Sequence, residues 1–200
     1  MIKKLLHVLD ERVLFPARIN YLVHWLSPQL MDSGNVLDLG ASDGRLAHAL
    51  SQHTPAMFTG CDVLVPEKTA IPVVQYDGTT LPFEDRSFDA VMLIDMLHHT
   101  DDPVEIVREA VRVSRKYVLI KDHYYNNSFD WYGLKAMDYV GNAPYNIRLP
   151  YNYLNDGQWR DLINTLNLRI VHEAKFRYNL IDPCRHVLFK LAVPGADSAP

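Results

Sequence analysis

The sequence predicts one α/β domain on a doubly wound, mostly parallel sheet that ends in a C-terminal antiparallel strand pair. Three observations predict it. Short apolar runs alternate with helical segments through residues 34–122, the pattern of βαβ units. The runs at 36–39 and 88–94 are almost wholly apolar, as strands covered on both faces are. Beyond residue 156 the order changes to one helix and two consecutive strand-like segments, 168–174 and 187–193, which can pair antiparallel.

The elements follow in order. Residues 1–30 read as two helices broken near Pro16. A strand at 36–39 meets a turn at Gly40 to Gly44, and a helix runs over 45–52. A second strand at 57–61 ends at Asp62, a third spans 73–76 and a fourth 88–94. Asp102-Pro103 opens a helix to Val113, with the acid and the proline both suited to a first turn. A fifth strand is expected at 117–120. Residues 123–155 are rich in Tyr, Asn and Pro with little periodicity, and are expected to form a lid inserted after strand five. A helix at 156–166 and the two final strands complete 156–193. The small, polar tail 194–200 is expected to be disordered.

The chain has 200 residues, 48% hydrophobic and 22% charged, the usage of an ordinary globular domain. A net charge of -4 without a run of Lys or Arg offers no bulk attraction for nucleic acid or an anionic membrane. Cys61 and Cys184 have no metal-ligand spacing and make no disulfide framework. Met1 to Leu6 begins like a signal peptide, but Asp10, Glu11 and Arg12 end the apolar run too early. No stretch approaches the roughly 20 apolar residues of a membrane span. A cytoplasmic location is expected.

The candidate site begins at Asp38-Leu39-Gly40-Ala41-Ser42-Asp43-Gly44. Glycine between strand and helix lets a ligand approach the backbone, at the strand end where open α/β sheets bind ligands. A plain connecting turn is the alternative. The spacing is not the G-x-G-x-x-G of dinucleotide folds. A carboxylate at Asp38 repels a pyrophosphate but suits a cationic sulfonium or amino group. Gly60-Cys61-Asp62 ends the second strand with an acid able to accept bonds from ribose hydroxyls, or simply to face solvent. Asp77-Gly78 follows the third strand, and Asp95-Met96-Leu97-His98-His99 the fourth. Carboxylates at three successive strand ends line one edge of the sheet.

Together VLDLGASDGRLA, GCD, YDGTTLPFEDRSFDAV and MLHHTDDP, spread over residues 34–122, resemble the class I S-adenosylmethionine-dependent methyltransferases, in the small-molecule branch that includes quinone-biosynthesis enzymes. The resemblance implies a Rossmann-like fold with S-adenosylmethionine as cofactor. It implies that Asp38, Gly40, Ala41 and Gly44 hold the methionine end, that Asp62 beside Val63 binds the ribose, and that Asp77 beside Gly78 contacts the adenine amino group. Asp95 and Met96 would close over the methionine moiety. Ser42 departs from the family's middle glycine.

Methyl transfer from a sulfonium needs mainly proximity and orientation, and no metal. A general base helps with a hydroxyl or acidic-carbon acceptor. His98, His99 and His123 are near enough in sequence, and His123 and His99 are the candidates, although histidines after strand four are common in the resembled family without a catalytic role. The aromatic set from Tyr124 to Tyr153 suits an aromatic or apolar small-molecule acceptor; the alternative is that the rings pack a cap onto the sheet. Two other readings are a methyltransferase-like binding module without catalysis and a nicotinamide-dependent oxidoreductase, the latter disfavoured by the missing G-x-G-x-x-G.

Overall fold

A computed structural model describes residues 15–142, 149–178 and 182–196. Helix α1 spans Phe15–Leu26. Pro16 lies in its first turn, where a missing N–H breaks no bond. The expected earlier helix falls on residues 1–14, outside the described residues. Strand β1 is Asn35–Leu39, helix α2 Arg45–Ser51, β2 Met57–Asp62, β3 Val73–Gln75 and β4 Phe88–Ile94. Helix α3 is Pro103–Val113, β5 Ser114–Tyr125, helix α4 Ser128–Asn142 and β6 Leu154–Asn155. Helix α5 is Asp156–Thr165, β7 Arg169–Phe176 and β8 His186–Ala192.

Local chemistry sets the clearest boundaries. Asp102 caps α3 by accepting from the Val104 and Glu105 N–H groups, with proline next in line. Asn155 and Gln158 form a reciprocal capping box at the start of α5.

The sheet order is β3-β2-β1-β4-β5-β8-β7, and β6 pairs with β5 off this path. Strands β1 to β5 are parallel to their neighbours; β8 runs antiparallel to both β5 and β7. The chain moves outward from β1 to β3, then returns to place β4 on the other side of β1. That reversal opens a crevice beyond the carboxyl ends of β1 and β4.

Side-chain alternation divides the core into two layers. Leu37, Leu39, Val91 and Leu93 face α3 and α5, packing with Val107, Ala110, Trp159 and Leu162. Val36, Ala90, Met92 and Ile94 face α1 and α2, packing with Leu22, Leu26, Ala47 and Leu50.

The main correction concerns strand five. It does not stop at Ile120 but continues to Tyr125, because β8 keeps pairing with it: Lys121 opposes Leu188, Asp122 opposes Val187 and His123 opposes His186. The expected lid at 123–155 therefore begins as the end of a strand and continues as α4. The stretch 138–144 has no assignable structure in the sequence; residues 138–142 belong to α4 and 143–148 lie outside the described residues. Of the expected disordered tail, 197–200 also lie outside them.

Candidate functional site

The turn after β1 is built from left-handed residues: Gly40 at φ 81, Ser42 at φ 51 and Gly44 at φ 76. The Gly40 N–H donates to the Cys61 carbonyl at 2.8 Å. Asp62 accepts from the Ser42 N–H at 2.7 Å and the Leu64 N–H at 3.0 Å, so the acid ending β2 pins the turn after β1. A Cβ on Gly40 would stand 3.0 Å from the Met96 Cβ, and one on Gly44 only 2.5 Å from the Ile71 Cγ1. Gly40 thus admits the close approach of the residue after β4, while Gly44 makes room for the protein's own Ile71.

Asp38 is 3% exposed beneath this turn, and burial, reinforced by the nearby Asp62 charge, pushes its carboxyl up to about 7. Ala41 is also buried, with its Cβ against Gly60. Val63 and Leu64 stand 42% and 75% exposed beside Asp62. The Val63 Cγ1 lies 3.3 Å from where Gly78 would carry a Cβ, so the ends of β2 and β3 adjoin. The Asp77 Oδ1 accepts from the Thr79 N–H, the Thr79 hydroxyl and the Thr80 N–H, which hold its carboxyl below the usual range. Asp38, Gly40, Ala41, Gly44, Asp62, Val63, Asp77 and Gly78 all fall at the carboxyl edge of β1 to β3.

Asp95 has a different place from the one the sequence suggests. It is left-handed, at φ 52. Its Oδ1 takes the buried Lys121 ammonium at 2.5 Å, and its Oδ2 takes Arg18 of α1 at 2.6 Å. Burial raises its pKa, but the two cations prevail and hold it well below the usual carboxylate range. Lys121 also donates to the Tyr178 hydroxyl at 2.8 Å. Asp95 joins α1, β5 and the segment after β7, whereas Met96 lies against Gly40.

Beyond Met96 lies a buried polar cluster of which the sequence showed only part. The His98 Nδ1 stands 2.5 Å from the Asp122 Oδ1. The Asp122 Oδ2 accepts from the Leu97 N–H at 3.0 Å. Asp138 of α4 accepts from the Tyr153 hydroxyl at 2.8 Å. The Asp138 Oδ1 lies 3.8 Å from the His98 Nε2 and 3.9 Å from the His99 Nε2. The His98 ring stacks on Tyr153, and the His123 ring lies between His98 and His186, with centroids at 5.1 and 4.8 Å. The Nδ1 atoms of His99, His123 and His186 are buried without a hydrogen-bond partner.

Burial opposes the charge on His98, but Asp122 and Asp138 overcome it and raise its pKa. Burial lowers the pKa of His99 and of His123, which keeps both neutral at neutral pH. Burial and Lys121 lower His186 to about 4. His123 belongs to strand β5 and not to a loop after it, and its side chain keeps 19% exposure. Sequence reasoning missed Asp122, Asp138, Tyr153 and His186 because their meeting needs β8 and α4. The one available signal was the polar triplet 121–123 continuing an apolar strand.

The aromatic set divides. Tyr153, Leu134 and Cys184 form a small core with Tyr125, Trp131 and Tyr151 packed on it, holding α4 down. Phe129, Tyr132 and Tyr139 are exposed. An open hollow of about 260 Å³ between β5 and α4 is lined by Tyr125, Ser128, Trp131 and Tyr132.

A doubly wound sheet with an acid at each of three strand ends, a glycine turn at the switch point and a C-terminal antiparallel pair defines the Rossmann-like class I methyltransferase fold. Residues 37–119 match the family described as "Methyltransferase domain". Over those residues, about two fifths of the chain, the core is similar to that family. The 27-O-demethylrifamycin SV methyltransferase of Amycolatopsis mediterranei is 30% identical over 93 residues, 40% of this chain and 34% of that protein. An uncharacterized protein of Methanocaldococcus jannaschii is 28% identical over 83 residues, 42% of this chain and 40% of that protein. The chain thus spans about a third to two fifths of these relatives. In fold, the chain is similar to the 1,6-didemethyltoxoflavin-N1-methyltransferase of Burkholderia thailandensis, solved with 1,6-didemethyltoxoflavin and S-adenosylhomocysteine. The TM-score is 0.68 at 14% identity, covering 92% of this chain and 82% of that one.

Proposed function

We propose that this chain methylates a small molecule held between the glycine edge and α4, using S-adenosylmethionine. The observation that carries this reading is the carboxylate edge: Asp38, Asp62 and Asp77 at three adjacent strand ends, beside the crevice opened between β1 and β4. The residues present fit the cofactor. The exposed faces of Val63 and Leu64 suit an adenine ring, and Asp62 retains acceptor lone pairs beyond its two backbone bonds. In this reading Asp62 takes the ribose hydroxyls, Asp77 turns its second oxygen to the adenine amino group, and Asp38 faces the cationic methionine end. When bound, the cofactor supplies a methyl group already activated on a sulfonium.

The protein then has to position and deprotonate the acceptor. His123 is the base in this proposal, because burial lowers its pKa and its side chain still keeps 19% exposure. The exposed rings of α4 offer an apolar wall for the acceptor. Two relatives support a small-molecule acceptor, since their names specify a demethylrifamycin and a didemethyltoxoflavin. No described helix is long and apolar enough to cross a membrane.

The test is transfer of labelled methyl from S-adenosylmethionine to a panel of aromatic and polyketide-like hydroxyl and ring-nitrogen compounds. Incorporation into one member supports the assignment. Tight cofactor binding with no incorporation into any small molecule would favour a binding module.

A further inference from the structure

The cluster after β4 has a use that methyl transfer does not require. We propose that His98 Nε2, His99 Nε2 and Asp138 Oδ1 form a binding site for a borderline-soft divalent transition-metal ion, zinc foremost. The donor atoms lie within 4.8 Å of one another. The separations of 3.8 and 3.9 Å from Asp138 to the two ring nitrogens exceed, by a few tenths of an ångström, the spacing of about 3.4 Å that bonds of ~2.1 Å give around a tetrahedral ion. A small inward movement of α4 would close that difference. Two imidazoles and one carboxylate are a donor set for zinc or ferrous iron, not for magnesium or calcium, which take oxygen ligands.

The surroundings match what such ligands need. A metal-binding imidazole usually gives its other N–H to a carboxylate, and the His98 Nδ1 faces Asp122 at 2.5 Å. The other oxygen of Asp138 is fixed by the Tyr153 hydroxyl at 2.8 Å. His98 and Asp138 side chains are 4% and 9% exposed, and His99, at 22%, leaves an entry path. A metal-bound His98 Nε2 would have to be unprotonated. The Nδ1, 2.5 Å from Asp122, would keep its proton. Three protein ligands leave a fourth position for water or an acceptor oxygen.

Charge separates this site from its neighbour. Asp95, His123 and His186 also bring three donors together. There Lys121 and Arg18 already neutralise the carboxylate at 2.5 and 2.6 Å and would repel a cation. Among the described residues, Asp122, Asp138 and Asp95 act on His98 and His99 with the charge that attracts a cation. The site stands on this geometry and not on any cofactor contact.

The experiment titrates zinc chloride into chelator-treated protein by calorimetry, then substitutes cobalt and records its visible spectrum. One ion per chain is expected, bound below about 1 μM, with a cobalt band of tetrahedral or five-coordinate intensity. His99→Ala and Asp138→Asn should each weaken zinc by roughly 100-fold or more, and Asp122→Asn by roughly 10- to 100-fold. His53→Ala, just past the C-terminal end of α2, should change nothing. Circular dichroism checks that the variants remain folded. No saturable zinc binding below about 100 μM, an affinity equal to the parent's in both ligand variants, or an octahedral cobalt spectrum in the parent protein would overturn the site.

Discussion

Asp38 lies almost wholly buried under a turn that Asp62 pins in place, and its carboxyl is raised to about 7. Between the ordinary carboxylate range and that value the folded state holds a proton that the unfolded state has released, so the stability of the cofactor-free protein falls as pH rises through this window. Asp38→Asn removes the buried charge. It should raise the melting temperature of the free protein at pH 8 while weakening S-adenosylmethionine; a variant that melts lower at pH 8 would contradict the burial argument. Ser42 tests the turn itself. A non-glycine residue at φ 51 is strained, so Ser42→Gly should lie within about 1 kcal/mol of the parent in urea unfolding, on the stabilising side. Gly40→Val, by contrast, drives a side chain into Met96 and should abolish cofactor binding. His123→Ala should lower single-turnover methyl transfer by roughly 10²–10⁴ with cofactor affinity unchanged within about threefold. Because the neutral ring is the active form and burial lowers its pKa, the acidic limb of the rate profile should fall below the ordinary histidine value of about 6.5. An unchanged rate would remove His123 from the chemistry.

Helix α1 and strand β5 are joined through Asp95, which neutralises Arg18 from one and Lys121 from the other. Removing that carboxylate leaves a fully buried ammonium unpaired. Asp95→Ala should therefore lose about 3–5 kcal/mol in equilibrium unfolding. Arg18→Ala should lose much less, since the Arg18 side chain is 44% exposed and Lys121 still pairs with Asp95. Equal losses would mean that α1, not the buried lysine, carries the effect. The same elements show what a sequence can reveal. Strand β4 and helices α3 and α5 were legible because caps and apolar period are local signals: Asp102-Pro103 and the apolar run 88–94 need no distant partner. The end of β5 was not legible, because its polar residues 121–123 are justified only by β8, more than sixty positions later. Helix α4 was hidden for a similar reason. Its rings are half inward and half exposed, and no sharp apolar stripe marks it.

At the scale of the molecule, the order β3-β2-β1-β4-β5-β8-β7 places the three acids on one side of the switch point and the histidine cluster on the other. Cofactor and acceptor would therefore meet above β1 and β4, with α4 as the outer wall. The carboxylate edge was legible in the sequence, since each acid stands at the end of its own strand. The histidine cluster was not, since it gathers residues from β5, α4 and β8. The central claim is that the carboxylate edge holds the cofactor, and calorimetric titration with S-adenosylhomocysteine tests it most directly. The account predicts one saturable site in the parent protein and a loss of about 1.5–3 kcal/mol in Asp62→Ala, with the fold intact. No binding by the parent, or equal affinity in the folded variant, would contradict it.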